Sequence, residues 1–193
     1  MKTGRITAVI LAALLFFGLC GCQSAQPQTR TVYAMDTVIT LTAYGTNASA
    51  ALDAAVQKLN EYDALLDVDS GDIGAVNDNA GEFVEVSGEV FDLLSECVEI
   101  SRQTDGAFDV TIGKYVELWG FRSQTRVPSD KELAQTAPFV GWEKIELEDG
   151  KVKIPAGAEI DLGGIAKGYV AGKLKEVLAE YGVTSAILSL AAM

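Results

Sequence analysis

The period of apolar and polar positions changes several times along the chain, and each change marks an element. Residues 31–45, "TVYAMDTVITLTAYG", are rich in Thr, Val, Ile and Tyr and stop at a glycine. They predict one long strand or the two halves of one, with alternation setting in at Thr37 and Val38. From Asn47 to Leu66, the apolar residues Ala51, Leu52, Ala55, Val56, Leu59, Tyr62, Leu65 and Leu66 recur at three- and four-residue steps. That is the spacing of an amphipathic helix, with Asn47 or Ser49 as its cap. Residues 67–81, "DVDSGDIGAVNDNAG", are acidic and glycine-rich, which predicts a run of turns. A second helix is expected from Ser87 to Gln103, with Val90, Phe91, Leu94, Cys97, Val98 and Ser101 on one face.

The remaining stretches are shorter. "TDGAFDVTIGKYVELWGF" (104–121) is too interrupted by glycine for one long element, whereas "KIELEDGKVKI" (144–154) alternates on both sides of Asp149-Gly150 and predicts a hairpin. A last helix carries Tyr169, Val170, Leu174, Val177, Leu178 and Tyr181 and closes on Gly182, and "VTSAILSL" follows as a last buried strand. No internal repeat is visible. This order of elements predicts an α+β fold, a mixed or antiparallel sheet with packed helices.

Composition narrows the chemistry. At 193 residues with 49% hydrophobic positions, the chain can bury one substantial core. A formal charge of −12 and the lack of any basic stripe argue against nucleic acid as a partner. The sequence has no histidine, which removes Ser-His-Asp and Cys-His catalysis and every His-ligated zinc site. Any general base is then a carboxylate, and a metal would be oxygen-ligated. Cys20, Cys22 and Cys97 are too few and too badly placed for a disulfide framework, and Cys97 reads as an inert core thiol.

The N-terminus has its own logic. Lys2 and Arg5 precede the uncharged run "ITAVILAALLFFGL" (6–19), which is short for a membrane span. The run leads into "LCGC", which resembles a bacterial lipobox with Cys22 as the lipidated residue; ordinary secretory cleavage nearby is the alternative. The expected organisation is a lipoprotein signal peptide at 1–21, a polar linker at 22–30 and one domain over 31–193, extracytoplasmic and lipid-anchored to a bacterial membrane.

Three glycine-bearing or otherwise irregular stretches carry candidate chemistry. In "EIDLGGIAKGYVAG" (159–172), glycines at a helix start admit a phosphate to the backbone, and Lys167 can reach back as a point charge. Neither a Walker A nor a dinucleotide spacing is present, so a plain strand-to-helix turn accounts for the same residues. In "TDGAFDVTIG" (104–113), Asp105 and Asp109 flank a tight turn and an aromatic, suiting sugar hydroxyls, amide donors or hydrated Mg²⁺, or merely capping the turn. Met35, inside an otherwise β-branched strand, fits core filler or a ligand contact.

The lipobox, "AMDTVITLTAYG", "SRQTDGAFDVTIGKYVELWGF", "VPS" (127–129), "EIDLGGIAKGYVAG" and "GVTSAILSL" together resemble the FAD:protein FMN transferases, the ApbE-type flavin transferases, over about residues 31–190. The resemblance implies a T-fold-like core that binds FAD with Mg²⁺. It also implies transfer of the FMN moiety to a Thr or Ser hydroxyl of an acceptor protein, with release of AMP. By motif match, Met35, Ala107, Phe108, Asp109, Asp161 and Lys167 would contact FAD, and the Gly164 carbonyl would ligate Mg²⁺.

Two departures qualify it. Relatives continue past this point and supply further side-chain metal ligands, whereas this chain ends "SLAAM", so a C-terminally incomplete domain is expected; loss of one base in a Gly-Gly-Asn reading is one route to that ending. Val68 and Asp72 stand nearest the places where many relatives carry an aromatic and a Ser-Glu pair, so no flavin contact is expected there. FAD hydrolysis, or flavin or solute binding without catalysis, are the alternative activities.

Overall fold

The computed structural model describes residues 26–121, 123 and 126–190; the predicted signal peptide and Cys22 lie outside the described residues. Two three-stranded antiparallel sheets are joined by helices. Strand β1 (Gln28–Ala34) pairs with β2 (Thr37–Ala43) from Gln28 opposite Ala43 to Ala34 opposite Thr37. The stretch expected as one strand, or two halves of one, is therefore a hairpin whose two-residue turn is Met35-Asp36. Both turn residues hold positive φ, 52° and 57°. Such turns ordinarily use Asn-Gly or Asp-Gly, so "MD" gave no turn signal in the sequence.

Helix α1 (Ala48–Leu66) lies across the inner face of this sheet, burying Ala51, Leu52, Ala55, Leu59 and Tyr62 against Ile39, Leu41 and Ala43. Alternation along β2 sends these three residues inward and Val38, Thr40 and Thr42 outward. Asn47 does occupy the N-cap, but its side chain makes no cap bond; Nδ2 donates instead to the Tyr181 carbonyl at 2.9 Å. That bond ties the start of α1 to the end of α6 (Ala166–Glu180), which packs along α1. Helix α6 closes as predicted: Gly182 has φ 74°, its N–H reaches the Ala179 carbonyl and the Val183 N–H reaches that of Leu178.

Residues 67–81 correct a second expectation. Helix α2 (Gly71–Asp78) occupies the middle of that stretch because Ile73 and Val76, three apart, are both buried. Gly71, at φ 60°, lets the chain pass the end of α1: a Cβ there would stand 2.3 Å from the Ala64 carbonyl oxygen. Asp72 accepts from the Ser87 N–H at 2.6 Å, tying α2 to the start of α3 (Gly88–Gln103). Helix α3 buries Val90, Leu93, Leu94 and Cys97, and burial pushes the Cys97 thiol up to about 12, as an inert core residue requires.

Helices α4 (Gly113–Trp119) and α5 (Asp130–Thr136) follow, the second closed by a Ser129/Glu132 capping box. In the second sheet, the predicted hairpin forms as β4 (Glu146–Glu148) and β5 (Lys151–Lys153) around Asp149-Gly150, and β3 (Val84–Glu85) adds to β5. Strand β6 (Ala186–Ser189) pairs with β2, but it is not the buried strand expected. Opposite Thr42, Ile187 shares the outer face and is 59% exposed, while Leu188, opposite Leu41, points inward. A continuous apolar run cannot by itself distinguish a strand buried on both faces from one buried on a single face. No described helix is long and apolar enough to cross a membrane.

Candidate functional site

The segment 159–163 is built as the shared wall of the site. Its backbone lies against residues 110–113: the Asp161 N–H donates to the Val110 carbonyl at 2.8 Å, and the Gly113 N–H to that of Glu159 at 3.0 Å. Gly113 permits this approach, since a Cβ there would stand 2.7 Å from the Glu159 carbonyl oxygen. The "TDGAFDVTIG" (104–113) and "EIDLGGIAKG" (159–168) stretches, distant in the chain, therefore run side by side. After Ile160 the chain turns, with Asp161 Oδ1 accepting from the Gly163 N–H at 2.8 Å, and enters α6.

A cleft of about 260 Å³ opens at this turn, lined by Met35, Asp36, Asp63, Asp67, Val68, Asp69, Asp161, Leu162, Gly163 and Lys167 among others. Three of the predicted contact residues meet here from two separate parts of the chain, Met35 from the hairpin turn and Asp161 and Lys167 from the turn into α6. Met35 arrives on the strained hairpin turn, and its N–H is held by Asp63 Oδ1 at 2.6 Å, a carboxylate from the last turns of α1. A wider cleft of about 500 Å³ shares Val68 and Asp69 with the first, so the two meet at the end of α1; it continues past Asn77, Lys114 and Glu159. Lys114 bridges Glu117 and Glu159, each at 3.1 Å. Burial pulls the Lys114 ammonium down, but these two carboxylates outweigh it and leave the pKa raised.

The other predicted residues are placed differently. Asp109 is half-buried and does not line the first cleft: Oδ1 accepts from the N–H and hydroxyl of Thr111, both at 2.7 Å, and Oδ2 from the Trp142 N–H at 3.0 Å. These bonds pin the loop beneath the site. Asp105 is exposed, in a left-handed turn with Gly106 that ends α3, so the two acids do not converge. Ala107 is exposed, and Phe108 packs at the rim of the core, its ring 3.4 Å from where a Gly164 Cβ would stand. Gly164 borders a different groove from Asp161 and Gly163, with Gly168 and Tyr169 between α3 and α6.

Among the described residues the donor set assembles no magnesium cage. Although five aspartates line the first cleft, Asp63, Asp67 and Asp161 each have an oxygen committed to a local donor: the Met35 N–H, the Asp69 N–H with the Ser70 hydroxyl, and the Gly163 N–H. Among the described residues no group of three or more acidic or thiol side chains is placed to hold a metal ion, and Mg²⁺ requires near-octahedral oxygen ligands.

Asp63, Asp67, Asp69 and Asn77 were not singled out from the sequence. Asp63 follows Tyr62 in a strongly periodic helix, where an acid reads as solvent-facing; only Asp67 and Asp69, paired just past the helix end, offered a visible cluster. Val68, for which no contact was expected, lies where the two clefts join.

A family model described as the ApbE family matches residues 35–192. The FAD:protein FMN transferase of Haemophilus influenzae is 35% identical over 109 residues, covering 50% of this chain and 32% of the relative. That of Treponema pallidum is 26% identical over 200 residues, covering 94% and 55%. Among solved structures, the ApbE protein of Thermotoga maritima aligns with a TM-score of 0.79 at 26% identity, covering 84% of this chain and 57% of that one. The apo flavinyl transferase ApbE of Pseudomonas stutzeri, at 22% identity and TM-score 0.77, shares the fold. The chain thus spans about half the length of the T. pallidum relative and a smaller part of the H. influenzae one. With a family model running from the Met35 turn through the Asp161 wall to the last strand, and an α+β architecture common to the solved relatives, this chain belongs to the ApbE family.

Proposed function

We propose that this chain binds FAD and transfers its FMN moiety to a Thr or Ser hydroxyl of an acceptor protein. The observation that carries this reading is the meeting of Met35, Asp161 and Lys167 at one cleft in a chain of this family. Relatives bearing the name FAD:protein FMN transferase support the choice of substrate. In the reaction, the acceptor oxygen bonds to the FMN phosphorus and the P–O bond to AMP breaks. AMP leaves with the electron pair, and the hydroxyl proton is released.

This chain's residues contribute binding and placement. Lys167, at the start of α6, sets a positive charge beside the helix N-terminus, where a phosphate is favoured. Met35 offers a polarizable thioether on a backbone turn that its neighbours hold fixed. Mg²⁺ belongs to the reading through the resemblance alone, which assigns it the Gly164 carbonyl. Cys22 as lipid-anchor site and an extracytoplasmic location belong to it as well, resting on the lipobox-like "LCGC".

Incubation with FAD, Mg²⁺ and a threonine-bearing acceptor should yield a covalently fluorescent acceptor and an equal amount of AMP. AMP without labelled acceptor would identify hydrolysis, and FAD binding with neither product a binding protein. Absence of FAD binding would overturn the reading.

A further inference from the structure

The wall that carries Asp161 is held on its second side by a side chain from α2. Ile160 is fully buried, and its backbone groups face away from residues 110–113. Both are taken by Asn77, from the last turn of α2: Oδ1 accepts from the Ile160 N–H at 2.7 Å, and Nδ2 donates to the Ile160 carbonyl at 3.0 Å. A primary amide presents one acceptor and one donor side by side, as a neighbouring strand residue does, so Asn77 stands in for the missing strand of a small ribbon. The next residue is Asp161, whose own N–H is fixed on the opposite side by Val110 and whose Oδ1 shapes the glycine turn. Movement at Ile160 is therefore transmitted to Asp161 and Gly163 within one and three residues.

We infer that Asn77 is a positioning residue for the nucleotide cleft, holding the 159–163 wall so that Asp161 and Lys167 face Met35 across it. The inference deepens the flavin reading and rests on it for the identity of the ligand. It concerns a residue that lines only the wider cleft, where Asp69, Asp78, Lys114, Glu117 and Glu159 are the charged neighbours.

The substitution Asn77→Asp gives a test that loss of fold cannot imitate. Ionised, the new carboxylate accepts from the Ile160 N–H but repels its carbonyl oxygen; protonated, it is isosteric with the amide and restores both bonds. In the 193-residue chain, FAD titration by fluorescence should show Asn77→Asp binding about tenfold more weakly than wild type at pH 7.5. The ratio of the two dissociation constants should shrink as pH falls from 7.5 to about 4, the range in which the half-buried new carboxyl, facing the Ile160 carbonyl, takes up its proton, with wild type correcting for titration of the native carboxylates. Asn77→Ala should show the deficit at every pH. Amide hydrogen exchange of the unliganded chain is the second readout: Asn77→Ala should speed exchange across 159–164 while leaving α1 protected. If wild type binds no FAD yet the exchange change appears, the flavin reading fails and the clamp survives. A pH-independent Asn77→Asp deficit, or unchanged exchange in Asn77→Ala, overturns the inference.

Discussion

Two hairpins of this protein turn in two residues with both at positive φ, and they differ in how that conformation is maintained. At Asp149-Gly150 the φ values are 46° and 77° and the residues suit them: aspartate tolerates the left-handed region and glycine has no Cβ to clash. At Met35-Asp36 the values are 52° and 57°, and methionine is a poor occupant, at a cost of about 1–2 kcal/mol for a left-handed non-glycine residue. There the chain relies on a distant group, Asp63, to hold the Met35 N–H. The comfortable turn lines neither of the clefts that meet at Val68, whereas the strained one lines the first of them. Strain held by a long-range contact at a cleft is the pattern expected where a side chain must be presented in one place.

That contrast can be broken in graded steps. Asp63→Ala should have the largest effect: with the half-buried Met35 N–H unpaired, urea unfolding should show a loss of about 1–3 kcal/mol. FAD affinity should fall together with stability. Asp63→Asn, which keeps an acceptor oxygen, should recover most of both.

Gly150→Ala should lower stability by about 1 kcal/mol, because a Cβ there meets no neighbour and only backbone strain is added. Its FAD titration should match wild type; a parallel loss of binding would show that the second hairpin also serves the cleft. Met35→Gly should do the reverse. Relief of left-handed strain is offset by glycine entropy and by the lost packing of the half-buried side chain, so urea unfolding should show a stability change below about 1 kcal/mol while FAD binding weakens.

The smallest effect lies away from both turns, at the α5 capping box. Hydrogen bonds from the Ser129 N–H and hydroxyl, then the Arg126 guanidinium, hold the exposed Glu132 carboxyl down at about 2. A depressed carboxyl stabilises the fold above its ordinary pKa of about 4.5 and loses that contribution as pH falls through about 2. Acid titration followed by circular dichroism should show this component between those values, and Glu132→Gln should remove it.

The same contrast explains which elements the sequence exposes. Helices α1, α3 and α6 and the Asp149-Gly150 hairpin rest on interactions within a few residues, so period and turn chemistry expose them. Helix α2 was hidden by its composition: its glycines and acids read as turns, and only burial of Ile73 and Val76 makes the helix worthwhile. The Met35-Asp36 turn was hidden because its support comes from 28 residues away. Of the site, the motifs at Met35, Asp161 and Lys167 were visible as wording. That Asp109 binds Thr111 and Trp142, and that Gly164 borders a different groove from Asp161, were not.

By itself, then, the sequence determined a histidine-free acidic chain of α+β type whose irregular stretches carry the candidate contacts, because charge, period and glycine placement are local properties. Tertiary structure alone decided that Met35, Asp161 and Lys167 share a cleft. Their convergence depends on side chains that satisfy backbone groups far away in the chain, Asp63 at Met35 and Asn77 at Ile160, and a buried N–H or carbonyl finds such a partner only once the chain has packed.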